Sequence, residues 1–402
     1  MKWEKKKLCE CTEYITDGDH QPAPKADKGV HFIKIKDIVN NQVSFDAQVY
    51  VPQEYYDNLP MERKPQKEDV LYTVVGSFGI PSYVQTDELF CFERNIALLH
   101  PNKDIEPRFL YYSLKNPAFY KGIEIVANGS AQKLIPLSKL KDLKISVPDK
   151  EAQRHIADIL SAYDDLIENN QRQIKLMEEA AQRLYKEWFV DLRFPGHENT
   201  KIVVGVPEGW EKNCAEKFFE ITIGKTPPRT EKRCFTTGEN GISWVSIADM
   251  GNSGMFVLNT AENLTEDAIK QYNVKVIPKN SVLLSFKLTV GRVAIASTDI
   301  CTNEAIAHFK GRRECEREYT YCYLKNFHYD ELGSTSSISK AVNSKIIKAM
   351  PFIMPSEKLL KEYSSKTKDI FDLIICKQKM DNNLKIARDR MLHKLMSGEV
   401  EV

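Results

Sequence analysis

The feature that most limits the fold of this chain is an internal repeat, whose two copies lie about 210 residues apart. HFIKIKDI, beginning at His31, aligns with SWVSIADM, beginning at Ser243. Further matches keep the same order: Trp3-Glu4 with Trp210-Glu211, DVLYTVVGSFG from Asp69 with SVLLSFKLTVG from Ser281, CFERNIAL from Cys91 with CTNEAIAH from Cys301, FLYYSLKN from Phe109 with YTYCYLKN from Tyr319, GSAQK from Gly129 with SSISK from Ser336, and Pro148 with Pro355. Chance matches would not keep one order at nearly constant spacing, so the chain is predicted to be a tandem duplication of one unit.

Each copy begins with short strand-like runs broken by Gly, Pro, Asn and Asp, and ends with a long stretch free of Pro and Gly. The first such stretch runs from about Asp149 to Phe189 and the second from about Ser356 to Ser397. Ser356 suits an N-cap, and Gly398 suits a helix terminator. At 1.5 Å per residue, each predicted helix is about 60 Å long, which is typical of a rigid spacer.

Both predicted helices carry seam residues at alternating steps of four and three, the spacing of a coiled coil. We therefore predict that the two helices pair with each other, and the alternative is that each packs on an unrelated globular core. One polar residue interrupts each seam and would fix the register of pairing. The predicted pairing residues are Leu160, Tyr163, Ile167, Asn170, Ile174 and Met177 in the first helix, and Leu373, Lys377, Met380 and Leu384 in the second.

These elements predict an α+β protein, in which two similar α/β domains are separated by two long antiparallel coiled-coil helices with a pseudo-two-fold internal repeat. The predicted boundaries are 1–147 for the first domain, 148–190 for the first helix, 191–209 for a linker, 210–354 for the second domain and 355–402 for the second helix. Two similar modules at a fixed distance suit a partner with two sites at a fixed distance. Duplex DNA is such a partner, because a 60 Å rod covers somewhat under two helical turns at about 3.4 Å per base pair.

Composition excludes several classes of protein. A formal net charge of +1 argues against a polybasic protein that binds nucleic acid through its overall charge, although local patches can still bind DNA. The nine cysteines include no C-x-x-C, so neither a zinc ribbon nor a thioredoxin motif is expected. The N-terminus has no apolar signal region and the chain has no long apolar run, so we expect a cytoplasmic protein without a membrane span.

Two stretches around the first predicted helix carry a family resemblance. PDKEAQRHIADILSAYDDLIENN from Pro148 and RLYKEWFVDLRFPGHE from Arg183 resemble the specificity subunit of type I restriction-modification systems. VPEGW from Val206 and ITIGKTPP from Ile221 look like the family's usual opening of a recognition domain. The resemblance covers nearly the whole chain. The second helix departs from it, because it lacks the EAQR run and the RFPGHE tail, so the two docking sites differ in sequence.

The resemblance implies separate roles for the two domains, the long helices and the partner subunits. Each globular unit would be a target recognition domain that reads one half of a split sequence in double-stranded DNA. The helices would set the unread spacer and dock two modification subunits, which two restriction subunits would join. This chain would perform no reaction and hold no cofactor, since S-adenosylmethionine, ATP and Mg would belong to the partner subunits.

The rival hypotheses are a stand-alone or fused DNA methyltransferase, and a coiled-coil adaptor that does not bind DNA. Asn116-Pro117-Ala118-Phe119 is close to a methyltransferase tetrad, but no F-x-G-x-G cofactor loop accompanies it and a helix end explains it. The chain has no G-x-x-x-x-G-K-[ST] motif, and its histidines lie at no ligand or triad spacing. We therefore predict no catalytic residue and no metal ligand.

Candidate DNA contacts are chosen as small, polar or basic residues in predicted turns, because Lys and Arg bind phosphates while Ser and Gln can also reach base edges. The candidates are Ser77, Ser130, Gln132 and Lys133 in the first copy, and Lys225, Thr226, Arg229, Lys287, Arg292, Ser337 and Lys340 in the second. Each could equally be a turn or solvated surface residue, and they do not reveal the base sequence that is read.

Overall fold

The computed structural model describes residues 2–39, 41–46, 48–127, 134–238, 240–332 and 343–402. Its contacts divide the chain into two units: Met1–Ile167 with Leu384–Val402, and Glu168–Asn383. Each unit therefore contains one globular domain together with one end of each long helix. This grouping differs from the predicted division, which treated the helices as separate domains.

In its described residues, the first domain consists of short strands and five short helices. Its strands are β1 (Glu4–Lys7), β2 (Thr12–Asp17), β3 (Val30–Ile33), β4 (Ile38–Val39), β5 (Gln42–Val43), β6 (Tyr50–Val51), β7 (Val70–Thr73), β8 (Pro81–Tyr83), β9 (Phe90–Phe92), β10 (Ile96–Pro101) and β11 (Lys144–Val147). Its helices are α1 (Leu8–Cys11), α2 (Gln53–Asp57), α3 (Pro107–Lys115), α4 (Pro117–Val126) and α5 (Leu137–Asp142), with 3-10 turns at Ile35–Asp37 and Met61–Arg63.

Two sheets form the body of this domain. The larger has the order β2-β10-β7-β8 and is antiparallel, and the smaller has the order β6-β3-β9, with β3 parallel to β9. β1 pairs with β11 so that Glu4 faces Val147, which joins the start of the domain to the strand that leads into the first long helix.

The first long helix, α6, covers Lys150–Tyr185 and continues as a π-helical segment, Lys186–Val190. A 3-10 turn at His197–Asn199 and a short hairpin of β12 (Ile202–Val203) and β13 (Val206–Pro207) follow. This hairpin lies within the predicted linker.

The second domain repeats the layout of the first. Its strands are β14 (Glu211–Cys214), β15 (Glu220–Ile223), β16 (Phe235–Thr236), β17 (Ile242–Val245), β18 (Phe256–Val257), β19 (Glu262–Leu264), β20 (Val282–Ser285), β21 (Val293–Ala296), β22 (Cys301–Thr302), β23 (Ile306–Lys310) and β24 (Pro351–Met354). Its helices are α7 (Ala215–Phe218), α8 (Ile247–Asn252), α9 (Glu266–Tyr272), α10 (Arg317–Asn326) and α11 (Ser344–Ala349), with 3-10 turns at Lys232–Cys234, Glu314–Glu316 and Tyr329–Leu332. The second long helix, α12, covers Glu357–Ser397.

Strand pairing confirms the internal repeat. The order β15-β23-β20-β21 matches β2-β10-β7-β8, and β14 pairs with β24 as β1 pairs with β11. The parallel pair is also repeated, since Trp244 faces Cys301 on β17 and β22 as Phe32 faces Cys91 on β3 and β9. The predicted fold class is therefore confirmed: an α+β protein in which two similar domains each lead into a long helix.

Aromatic packing holds the long helices against the second domain. The Phe189 ring lies 4.7 Å from Tyr319 of α10 and 5.0 Å from Tyr363 of α12, and all three rings are buried. The Tyr363 hydroxyl donates to the backbone oxygen of Ala181, 3.3 Å away. Burial of each such side chain contributes about 1.5–3 kcal/mol, so this end of α6 is firmly fixed within its unit.

The two helices run antiparallel in this unit, and a buried polar cluster joins them. Asn170 donates from Nδ2 to Asp381 Oδ1 at 2.9 Å and accepts from Lys377 Nζ at 3.1 Å. Asn170 and Lys377 are equivalent positions of the repeat, so their contact is the one expected where a local two-fold axis relates two helices. We call these three residues the helix cluster.

Within the first unit, a second polar group links α6, α12 and the domain. Asp164 of α6 accepts from Arg388 Nη1 of α12 at 2.5 Å and from the Tyr112 hydroxyl of α3 at 2.8 Å. Lys115 lies 3.7 Å from the same carboxylate, and burial lowers the pKa of its amine to about 8. Leu160 packs in the same core as Leu392 and Leu395.

The predicted pairing residues of the first helix all face the core or are half-buried, namely Leu160, Tyr163, Ile167, Asn170, Ile174 and Met177. In the second helix, Lys377 and Leu384 are half-buried. Leu373 and Met380 are 47% and 44% exposed, so their assignment to the pairing face is wrong. The face that packs there carries Ile374 and Asp381 instead, one residue further along the helix in each case.

Within the described ranges, no helix is both long and apolar enough to cross a membrane.

Candidate nucleic-acid interface

In both domains, the chain leaves the first strand of the large sheet at a glycine pressed against the neighbouring backbone. A Cβ on Gly224 would lie 2.1 Å from Thr302 Oγ1 and 2.2 Å from the Asn303 backbone oxygen. A Cβ on Gly18 would lie 2.2 Å from the Phe92 backbone oxygen, at the equivalent place in the first domain. Only glycine fits these positions, and the close approach brings the segment after Gly224 beside the turn after β22.

Lys225 and Thr226 follow this glycine and are held by the same turn. The Lys225 backbone N–H donates to the Thr302 oxygen at 2.9 Å, and its Nζ donates to the Tyr272 oxygen at 2.6 Å. The Thr226 hydroxyl donates to the carboxylate of Glu304. The Lys225 side chain stays exposed, so its ammonium is accessible to an anion.

Arg229 lies on an aromatic surface. Its guanidinium is 4.2 Å from the Phe235 ring centroid and 4.6 Å from the Trp244 ring centroid, and Nη1 contacts Glu262 Oε2 at 2.6 Å. Half of the side chain remains exposed, at 50%. Stacking and ion pairing orient the guanidinium while leaving one side of it free for a ligand.

Glu304 lies where several of the predicted residues converge. The Thr226 hydroxyl lowers the pKa of this carboxyl group, and the positive charges of Lys287 and Arg229 act in the same direction. The second domain thus presents cations and an ionised carboxylate on one surface. Lys and Arg suit DNA phosphates, and a carboxylate can accept from the amino group of cytosine.

The remaining candidates of the second domain lie in the loop between β20 and β21, residues 286–292. Lys287 is exposed, with Nζ 5.6 Å from the centroid of the Phe286 ring. Arg292 is only half-exposed, and its Nη1 donates to the Ile247 oxygen at 2.8 Å. Arg292 therefore anchors the loop within the domain, whereas Lys287 faces solvent.

In the first domain, Ser77 lies in the matching loop between β7 and β8, residues 74–80. Its side chain is exposed, and its backbone oxygen accepts from the Thr73 hydroxyl at 2.7 Å. The other candidates lie outside the described residues: Ser130, Gln132 and Lys133 in segment 128–133, and Ser337 and Lys340 in segment 333–342.

Sequence reasoning missed Trp244, Glu262 and Glu304, because their partners come from distant parts of the chain. The repeat itself offered a further signal, since aligning CFERNIAL with CTNEAIAH places Arg94 at the position of Glu304. Arg94 is exposed on the first domain. The two domains therefore present opposite charges at equivalent positions.

Other predicted features carry structural roles. Asn116 of the tetrad-like sequence caps α4, with Oδ1 accepting from the Ala118 backbone N–H at 3.0 Å, and Phe119 is buried against Tyr72. Within the part of the chain that the structure describes, no three His, Cys, Asp or Glu side chains are arranged to hold a metal ion.

Two copies of one α/β domain, each leading into a long helix that pairs with the other, define a duplicated recognition scaffold. The family model described as "Type I restriction modification DNA specificity domain" matches residues 1–179 and 207–384. The chain therefore belongs to this family and carries its domain twice, as the sequence resemblance predicted.

Known relatives match over most of their length. The chain is 26% identical over 416 residues to a putative type I restriction enzyme specificity subunit, MjaX, of Methanocaldococcus jannaschii, with 100% of this chain and 94% of the relative covered. It is 24% identical to the HindI specificity subunit of Haemophilus influenzae, with 92% and 94% covered. The crystal structure of a type I restriction-modification S subunit from M. genitalium shares the fold, with a TM-score of 0.60 at 16% identity and with 98% of this chain and 96% of that chain covered.

Proposed function

We propose that this chain is the DNA sequence-specificity subunit of a type I restriction-modification complex, and that each domain reads one half of a bipartite DNA target. The duplicated domain, each copy of which leads into a long helix, carries this proposal, because it places one type of reader twice in a single chain. Family membership over both copies supports it.

The candidate surface of the second domain suits this role chemically. Lys225 and Lys287 are exposed cations that can neutralise phosphates without reading sequence. Arg229 is pre-oriented by Trp244, and Glu304 is an ionised acceptor beside it. Base reading requires donors and acceptors held in fixed positions, and this group supplies both.

The helices set the unread spacer and dock the modification subunits. The helix cluster of Asn170, Lys377 and Asp381 supports the first role, because buried polar contacts between helices fix their register. Leu373 and Met380 support the second, since they are exposed, apolar and seven residues apart on one face of α12. Apolar residues exposed together on a helix are typical of a surface that a partner covers.

The complex contains two modification and two restriction subunits, and those partners hold S-adenosylmethionine, ATP and Mg. This chain contributes recognition and no catalysis, and it acts in the cytoplasm, where the target DNA lies. These points rest on the family resemblance and are tested by reconstituting the complex from separate subunits.

Replacing residues 1–147 with the recognition domain of another specificity subunit tests the proposal directly. Methylation by the complex with its modification subunits should change in one half of the target and keep the other half, because each domain reads separately. The matched control omits the modification subunits, and it should show no methylation. A change in both halves, or methylation by this chain alone, would contradict the proposal.

A further inference from the structure

The loops 74–80 and 286–292 share one internal architecture, although their sequences differ. Thr73 donates from its hydroxyl to the Ser77 oxygen at 2.7 Å and accepts from the Ile80 N–H at 3.0 Å. Ser285 makes the same two bonds, to the Thr289 oxygen at 2.5 Å and from the Arg292 N–H at 3.0 Å. Thr73 and Ser285 are both fully buried, so the hydrogen bonds of each hydroxyl group hold its loop in a fixed shape.

The roots of both loops are held as well. Gly79 donates its N–H to the Thr73 oxygen at 2.8 Å, and Gly291 donates to the Ser285 oxygen at 3.0 Å. In the second domain, the Tyr329 ring also packs against Gly291, where an added Cβ would lie 3.1 Å from it. Because the backbone at the base of each loop and the hydroxyl group beneath it are both hydrogen-bonded, the residue at the tip of the loop is held in one position.

The residue at the tip differs between the two domains. Gly76 has φ of 70°, and Leu288, its equivalent in the repeat, has φ of 63°. This left-handed conformation suits glycine and disfavours leucine. Leu288 is nevertheless 91% exposed, so no packing in the described part of the domain accounts for an apolar side chain there. Strained residues held by a rigid frame are typical of functional sites.

The surroundings of Leu288 indicate an anionic partner. Lys287 precedes it and faces solvent, and Lys287 and Arg229 both act on the nearby Glu304 carboxylate. An exposed apolar side chain next to an exposed lysine suits DNA, in which a thymine methyl group lies in the major groove between rows of phosphates.

We propose that the loop 286–292 is a base-reading tip of the second domain, and that Leu288 makes apolar contact with a thymine methyl group in the half-site read by that domain. This inference rests on the proposed function. The equivalent loop of the first domain presents Gly76, so it lacks this contact and reads its half-site without it.

The test uses the complete complex with modification subunits and S-adenosylmethionine, and it scores every methylated sequence. Leu288→Gly keeps the loop, because glycine adopts the left-handed conformation at Gly76. We expect about a tenfold weaker preference for thymine at one position of the second half-site, with the first half-site unchanged. Val204→Gly is the matched control, since Val204 is also apolar, 94% exposed and left-handed, at φ of 51°, but lies in the linker hairpin.

Each outcome decides the inference. An unchanged motif at an unchanged rate for Leu288→Gly would overturn it. Loss of assembly with the modification subunits would overturn it as well, because the tip would then be a protein contact. The same loss of thymine preference in Val204→Gly would also overturn it, because removing any exposed apolar side chain would then have this effect. If the unaltered complex recognised no split sequence, the proposed function itself would fail.

Discussion

At the scale of single residues, the two glycines of the close backbone approach are the clearest structural requirement. Gly18→Ala should lower the free energy of unfolding by about 1–3 kcal/mol, because the new Cβ meets the Phe92 backbone oxygen, which cannot move away as a side chain could. Gly224→Ala should act similarly in the second domain. Denaturant unfolding of the purified variants measures the effect.

Gly122→Ala in α4 is the matched control in the first domain. A Cβ there meets no heavy atom within 4 Å, and alanine favours a helix by about 0.5–1 kcal/mol over glycine. This variant should be as stable as the original chain or slightly more so. Equal losses in Gly18→Ala and Gly122→Ala would contradict the close approach.

A buried histidine predicts how the stability of the second domain depends on pH. His308 lies between the hydroxyls of Thr222 and Thr302, at 2.9 and 2.6 Å, and burial lowers its pKa to about 3. In the unfolded chain its pKa is about 6.5. As the pH falls below 6.5, the unfolded chain binds a proton and the folded chain does not, so stability is lost.

The expected loss attributable to His308 is about 2 kcal/mol between pH 7 and pH 5. Denaturant unfolding at both pH values measures it, with His308→Gln as the comparison, because glutamine does not titrate in this range. The difference in free energy between the two proteins should shrink or reverse at the lower pH. A pH-independent difference would contradict this account, because it would mean that His308 has the same pKa in the folded and the unfolded chain.

Single-residue roles were the least predictable part of the molecule. Arg229 and Arg292 are both basic residues in turns, yet Arg229 stacks on Trp244 while Arg292 donates to the Ile247 oxygen. The partners of each residue come from elsewhere in the chain, so local sequence could not separate an exposed cation from an anchoring one.

At the scale of elements, the long helices show where periodicity succeeds and fails. The steps of four and three located the packed face of α6, because its buried residues are mostly apolar. In α12, Leu373 and Met380 are apolar but exposed, and Asp381 is charged but buried. The spacing of apolar residues therefore predicted the wrong face of α12 in this region, because the residues that contact α6 there belong to the polar helix cluster.

The two long helices are also expected to set the length of the unread spacer. Inserting seven residues into both helices, beside Asn170 and beside Lys377, keeps the seam and adds about 10 Å. The recognised sequence should gain a longer spacer, by up to about three base pairs, while both half-sites stay the same. Sequencing of the methylated sites measures this.

The control for that experiment inserts seven residues into α6 alone. This change shifts Asn170 against Lys377 and Asp381 and should abolish methylation, because the helices can no longer pair along their length. An unchanged spacer in the double insertion would show that the helices do not act as the ruler.

At the scale of the whole molecule, the repeat was predictable because its signal is long-range and ordered. The matched pairs Phe32 with Trp244 and Cys91 with Cys301 fell on equivalent, mutually paired strands. What the repeat could not reveal is how the copies differ, such as Arg94 against Glu304 and Gly76 against Leu288. A net charge of +1 is compatible with DNA binding when cations are gathered on local surfaces.

As a specificity subunit, this chain should direct modification to a two-part DNA sequence. Methylome sequencing of a host with and without the gene tests it most directly. We expect adenine methylation at one split motif, two short specific halves around a fixed unread spacer, present only when the gene is present. An identical methylome in both hosts while the modification subunits are expressed, or a continuous motif, would contradict the account.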